Sequence, residues 1–323
     1  MSKIKTILLF ILFSCNTLAG GIDISKEYLL SKTQIQSQSF NKDLLLSYLR
    51  SQTILLIPGV LSESFRSDSN QKIKVDYFLG EIFNDHEDWL IEEGLKYEIL
   101  DIESESSPTE NKDFIIEVIE SLPSNVIIFT HSKGGLDTFA ALSSRPDLLK
   151  KITGVITVQT PFRGSPVADA FAGNFVTKKI GKWLFNFLGG SEDGFLSLTT
   201  KNSKERNSVL KNDYQRIIRE IPVINYGSFK EDTFGWDTPL ELFRDYTQIK
   251  IGRNDGVVPL QSALLDDTYQ VTESGVDHLN SVTNTSGVRK VSILPQLNYK
   301  KSWTFDRKSH FQALLESLRK VSY

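Results

Sequence analysis

Ser132 stands where a strand gives way to a helix, and that position is what makes its hydroxyl chemically interesting. The stretch Val126-Ile-Ile-Phe-Thr-His131-Ser132-Lys133-Gly134-Gly135-Leu-Asp137 opens on four consecutive apolar residues, the first three β-branched, a pattern of a strand buried on both faces. An apolar helical pattern resumes directly after the glycines. To pass from one to the other the backbone must bend sharply, and small residues beside the bend let the two segments approach closely. The bend lifts the hydroxyl above the sheet edge and aims the amides of the new helix at whatever the serine attacks. A serine hydroxyl is a poor nucleophile until a base takes its proton, and the base needs a third group to fix its tautomer and stabilise the imidazolium. The chain holds four histidines, His86, His131, His278 and His310, so the search for a base is short.

The stretch resembles the nucleophile elbow of α/β-hydrolases, and Thr-His-Ser-Lys-Gly-Gly is most similar to the elbow of bacterial triacylglycerol lipases and esterases. Thr130 departs from the G-x-S-x-G pattern by standing where its first glycine is expected. In that superfamily the chain order is Ser, then Asp or Glu, then His. Gly275-Val-Asp277-His278-Leu279-Asn280 resembles the His loop of the same lipases, which makes His278 the expected base. Its rival, His310, falls in a C-terminal helix whose Phe311, Leu314, Leu315 and Leu318 face the core, and is expected on that helix's surface. His131 adjoins the nucleophile, so its side chain should point away from the hydroxyl and pack or bond beside the elbow. His86, in the acidic run Asn84-Asp-His86-Glu-Asp, is expected to be solvated.

For the acid, Asn254-Asp255-Gly256-Val-Val-Pro259 resembles the lipase acid loop. A strand expected over 247–251 would put Asp255 just past its C-terminal end, the edge where open α/β sheets keep their sites. An Asp-Gly pair alone reads as a turn; its place between Ser132 and His278 is what recommends Asp255. Asp277 is too close in sequence to His278 to be preferred. The oxyanion hole needs two backbone N–H donors. One is expected from Lys133, the residue after the nucleophile. The other is expected from Val60, with Leu61 second, because Ile57-Pro58-Gly59-Val60-Leu61 resembles the lipase stretch after the first buried strand, with Pro58 in place of its His. Thr160-Pro161-Phe-Arg163-Gly164-Ser165 resembles a further lipase turn, expected to shape the wall of the site. Some of these lipases hold calcium through an acid two residues beyond the His; Asn280 occupies that position here, so no metal and no cofactor are expected. The acids of residues 101–111 read as a solvated loop.

Composition sets the wider frame. The 323 residues are 40% hydrophobic and 24% charged, as in an ordinary globular protein with a sizeable core. Lys3 and Lys5, an apolar run over 6–14 and then Cys15-Asn-Thr17-Leu-Ala19-Gly20 read as an export signal, too short for a membrane span of roughly 20 residues. Two processing routes stay open: cleavage after Ala19, leaving 20–323 as a secreted or periplasmic protein, or a lipobox at Leu12-Phe-Ser-Cys15, with the signal ending at Ser14 and a lipid on Cys15 anchoring the chain to a bacterial envelope. Cys15 is the single cysteine, so no disulfide is expected in the folded part. Net charge is −3 and becomes −5 without residues 1–19, which hold two Lys and no acids; nothing suggests a nucleic-acid partner.

Strands are expected over 53–57, 97–102, 126–129, 152–158, 222–226 and 247–251, with helices over 41–50, 77–94, 113–122 and 135–142 and a polar loop over 103–111. Alternation of this kind argues an α/β fold with a mostly parallel sheet and helices on both faces, in one domain over 20–323. Residues 170–190 interrupt it with a 3.6-residue apolar stripe through Phe171, Phe175, Val176, Ile180, Trp183, Leu184, Phe187 and Leu188. This is either a helix packed on the core or, as the resemblance implies, a helical lid or cap around 164–221 that would also meet a membrane surface. The resemblance covers 53–279 and implies a serine carboxylic-ester hydrolase, a lipase or esterase acting on ester or lipid substrates. An acyltransferase using the same triad, and a non-catalytic envelope binding protein on the same scaffold, are the alternatives.

Overall fold

Strands whose side chains are apolar on both faces must be covered on both faces, and the chain supplies a helical layer for each. The structure is a computed structural model that describes residues 20–59, 82–102, 106–172, 192–231, 238, 240–283 and 305–322. Its strands are β1 (Ile22–Asp23), β2 (Gln52–Ile57), β3 (Tyr97–Ile99), β4 (Asn125–His131), β5 (Ile152–Val158), β6 (Val223–Phe229) and β7 (Tyr269–Ser274). They form a single sheet of order β1-β7-β6-β5-β4-β2-β3, and every neighbouring pair is parallel. The order reverses between β2 and β4, and open α/β sheets keep their sites at the C-terminal edge beside such a switch point.

Helices α1 (Ser25–Gln36) and α2 (Asp43–Leu49) precede β2, α3 (Asn84–Glu92) precedes β3, α4 (Pro108–Ser121) precedes β4, and α5 (Lys133–Ser144) joins β4 to β5. Between β5 and β6 lie α6 (Pro166–Ala172), α7 (Glu192–Leu196), α8 (Thr200–Val209) and α9 (Lys211–Glu220). After β6 come α10 (Glu241–Lys250) and α11 (Leu260–Ala263), and α12 (Arg307–Val321) follows β7. The period-2 alternation of the strands sorts the core. Leu55, Ile57, Val126 and Ile128 pack with Ile115, Ile119, Leu136, Phe139 and Ile217 of α4, α5 and α9. Ile54, Leu56, Ile127 and Phe129 pack on the opposite face with Leu45, Leu49, Trp89, Phe311 and Leu314 of α2, α3 and α12.

Several elements differ from the sequence-based expectation, each for a local reason. Residues 247–251 close helix α10 and form no strand: the buried positions Glu241, Arg244 and Thr247 recur at helical spacing, while Ile249 is 84% exposed. The edge strand β1, its neighbour β7 and helix α1 are additions. Helix α4 starts at Pro108, inside the expected loop, because Ser107 and Glu110 form a reciprocal capping box with proline in the first turn. The segments at 1–19 and 173–191, which hold the expected signal and most of the expected lid stripe, lie outside the described residues.

Two histidines expected at the surface are buried. His86 shares the inward face of α3 with Trp89 and Leu90, and its ring lies among Phe83, Phe129 and Phe311, with centroids 5.3, 5.5 and 4.7 Å away. Neither ring nitrogen has a hydrogen-bond partner among the described residues. His310 is drawn inside by a polar cluster at the chain ends. The Tyr28 hydroxyl donates to Glu273 Oε2 at 2.8 Å and so accepts from His310 Nδ1 at 2.7 Å, while Tyr226 and Lys32 donate to the same carboxylate at 2.8 and 2.6 Å. These bonds tie α1 and α12 to β6 and β7.

Burial pushes the His86 imidazole down to about 3, with Arg307 adding to it, and holds His310 and His131 well below the ordinary histidine value. All three are neutral when folded and take up a proton when unfolded below about pH 6.5. Stability therefore falls as pH drops below that value, by up to about 1.4 kcal/mol per pH unit for each group. His86→Leu is expected to shrink the loss of Tm between pH 7.5 and pH 5, as followed by circular dichroism. An unchanged pH dependence in this variant would contradict the assignment.

Candidate active site

Ser132 leaves β4 in a left-handed conformation, φ 53° and ψ −127°, and caps the N-terminus of α5. A non-glycine residue held there costs on the order of 1–3 kcal/mol, so its surroundings must over-determine it. The Ser132 amide donates to Val158 O at 2.9 Å. The loop after β2 presses on the bend: a Cβ added to Gly59 would meet Ser132 Cβ at 2.7 Å, and one added to Gly134 would meet Pro58 O at 2.5 Å. The backbone at Gly59 thus runs directly beside the Lys133 amide at the start of α5. Val60 and Leu61, the expected second oxyanion donor and its alternative, lie outside the described residues.

The three side chains expected to act together meet at this edge. Ser132 Oγ lies 3.0 Å from His278 Nε2, and His278 Nδ1 lies 2.8 Å from Asp255 Oδ2. An ionised carboxylate can only accept, so Nδ1 carries the proton and Nε2 presents its lone pair to the serine hydroxyl. All three residues are buried. Asp255 is itself fixed, its Oδ1 accepting from the amides of Val257 and Val258 at 2.9 and 2.7 Å. Its carbonyl accepts from the His278 amide at 2.8 Å, so acid and base are joined through main chain as well as side chain. Asp255 follows helix α10, with the expected strand absent, and it reaches the sheet edge because Asn254 O accepts from the Lys230 amide just past β6.

The remaining candidates take other positions. Asp277 turns away from the neighbouring imidazole: Oδ1 accepts from the Leu279 and Asn280 amides, and Oδ2 from Thr238 Oγ1. It shapes the His loop as an Asx turn. His131 bonds beside the elbow, with Nε2 2.9 Å from His278 O. His310 belongs to the cluster at the chain ends. The turn at 160–165 braces the acid loop, Ser165 Oγ donating to Val257 O at 2.5 Å and Ser262 Oγ to Gly164 O at 2.7 Å. Hydroxyl-to-carbonyl bonds of this kind leave no residue-spacing signal.

This arrangement can pass a proton from a serine hydroxyl to an imidazole held by a carboxylate, with a helix N-terminus facing the reacting oxygen. Its framework has counterparts among solved structures. A metagenomic carboxyl esterase superposes with a TM-score of 0.70 at 18% identity, covering 94% of each chain. The mature form of a Bacillus licheniformis lipase gives 0.56 at 22% identity over 71% of this chain and 85% of the lipase. This chain has the α/β-hydrolase fold. A phospholipase from Legionella pneumophila, with a TM-score of 0.50 at 12% identity over 84% of this chain and 64% of that one, shares it more distantly. No protein-family model and no curated protein sequence matches the chain.

One ion pair of the α/β-hydrolase elbow is fully internal. Lys133 Nζ lies 3.0 and 2.9 Å from the two Asp137 oxygens, one turn along α5, and both side chains are buried. Asn111 Nδ2 of α4 donates to Asp137 Oδ2 at 3.0 Å. Burial raises the Asp137 carboxyl above its ordinary value, against the pull of Lys133 and Asn111. With Asn111, the pair ties the start of α5 to α4 and keeps the lysine amine inside the protein. Removing one partner of a buried pair typically costs about 3–5 kcal/mol, whereas replacing both by apolar groups is often neutral. In urea unfolding, Lys133→Met is expected to lose stability of that order, and Lys133→Met with Asp137→Leu to regain most of it. Equal losses in the two variants would contradict this reading.

Proposed function

We propose that the chain is a serine carboxylic-ester hydrolase that acts on lipid esters. The observation that carries the reading is the unbroken hydrogen-bonded path from Ser132 through His278 to Asp255. His278 Nε2 takes the hydroxyl proton as Ser132 Oγ attacks the ester carbonyl, and Asp255 stabilises the imidazolium that forms. The tetrahedral oxyanion is held by the Lys133 amide at the start of α5 and by the Val60 amide. Collapse expels the alcohol, which leaves with the proton from His278. Water then enters, gives a proton to the same nitrogen and attacks the acyl-enzyme, and breakdown returns the hydrogen to Ser132 as the acid leaves.

Ester hydrolysis agrees with the fold shared with a carboxyl esterase and a lipase. A lipid substrate draws support from the sequence resemblance to bacterial lipases and from the apolar stripe at 170–190. Export under residues 1–19 is part of the same reading and would set the reaction in the envelope or outside the cell.

A series of nitrophenyl esters of increasing acyl length tests both parts. Turnover is expected to favour long acyl chains, Ser132→Ala to remove it, and Asp255→Asn to lower kcat by about 10,000-fold. Undiminished turnover by Ser132→Ala would overturn the mechanism, and preference for acetate esters would remove the lipid assignment while leaving ester hydrolysis standing.

A further inference from the structure

A base can be held through its ring or through its own main chain, and the loop carrying His278 is held in the second way by three adjacent strands. β4, β5 and β6 run parallel and in register, His131 beside Val158 and Val158 beside Tyr226, so His131, Gln159 and Ser228 emerge together at one edge. Each reaches a different carbonyl of the same loop. Ser228 Oγ donates to Val276 O at 3.0 Å, Gln159 Nε2 to Asp277 O at 3.0 Å, and His131 Nε2 to His278 O at 2.9 Å. Three successive carbonyls ending on the base are thus each met by a side chain at the end of, or just beyond, a different strand.

Gln159 joins these contacts. Ser228 spends its single hydrogen on Val276 O, so it accepts from Gln159 Nε2, 2.5 Å away. The other Gln159 hydrogen goes to Asp277 O, and Gln159 Oε1 accepts from Ser281 Oγ at 2.6 Å. These bonds admit only one orientation of the amide. The residue is fully buried and sits at φ 54°, the left-handed region that favours glycine, with its own amide donating to Tyr226 O at 2.8 Å. Glycine would relieve that backbone but could not reach the loop.

We propose that Gln159 is the positioning residue of this site: it holds the His278 loop at the register in which the imidazole meets Ser132 while still reaching Asp255. It touches neither the hydroxyl nor the carboxylate and acts through His278 alone. The proposal rests on the reading of Ser132, His278 and Asp255 as the reacting groups. A displacement near 1 Å in a reacting constellation can cost about 100-fold in rate, which sets the size of effect to look for.

The test uses Gln159→Met, of similar length and without the amide, alone and combined with His278→Ala, on a nitrophenyl ester in full kinetics. Alone, it is expected to lower kcat by about 10- to 100-fold with KM changed less than about threefold. In the His278→Ala background it is expected to change the residual rate less than about twofold, because its route to the reaction is gone. A further fall there, proportional to that in wild type, would mark a merely structural role and overturn the proposal. If Gln159→Met does not fold by circular dichroism, Ser228→Ala, which removes one arm of the same network, is expected to lower kcat by about 3- to 10-fold, again only when His278 is present. Wild-type kcat in the folded variant overturns the proposal. Wild-type activity in His278→Ala alone would instead refute the underlying assignment of the base, which separates the two failures.

Discussion

An imidazole can couple a hydroxyl to a carboxylate only if both of its nitrogens are engaged at once, and this constraint organises the structure. His278 meets Asp255, 23 residues earlier in the chain, at 2.8 Å and Ser132, 146 residues earlier, at 3.0 Å. No local element can hold groups so far apart in sequence. The parallel sheet can, because it brings the ends of β4, β5 and β6 to one edge and keeps their spacing fixed by ladder hydrogen bonds. Loops leaving that edge then need few contacts of their own to meet.

Holding this geometry has a local energetic cost. Ser132 and Gln159 both take left-handed backbone conformations at the ends of neighbouring strands. Each is over-determined by what surrounds it: the amide of one donates to Val158 O and the amide of the other to Tyr226 O, so each bend is locked to the next strand. Beneath the elbow, the internal Lys133–Asp137 pair and its Asn111 partner stiffen the first turn of α5, directly after Ser132. The site thus holds both backbone strain and a buried ion pair, and the two apolar faces of the sheet supply stability that offsets them.

Much of this was legible in the sequence where burial is complete on both faces. β2, β4, β5 and β6 announce themselves as apolar runs, and Ser132, Asp255 and His278 are picked out by the resemblance of their segments to lipase loops and by their order along the chain. Legibility fails where burial is one-sided or where an alternation misleads. β7 has only Val271 fully buried, and Ile249-Lys-Ile251 mimics a strand because two exposed isoleucines flank a lysine at the end of a helix. His86 and His310 were obscured by their neighbours in sequence. Read at helical spacing, His86 pairs with Trp89 and Leu90, and His310 with Ala313, Leu314 and Ser317, all buried. The network around Gln159 is carried by single hydroxyls and an amide meeting carbonyls, and no residue pattern encodes those partners.

Activation of Ser132 by His278 within this frame can be read out chemically. The readout is mass spectrometry of the chain after treatment with a fluorophosphonate, a reagent that phosphonylates a serine made nucleophilic by its surroundings. One adduct per chain is expected, mapped by peptide sequencing to Ser132 and forming at least about 1,000-fold more slowly in His278→Ala. An adduct on another residue, or equal labelling rates with and without the imidazole, would contradict it.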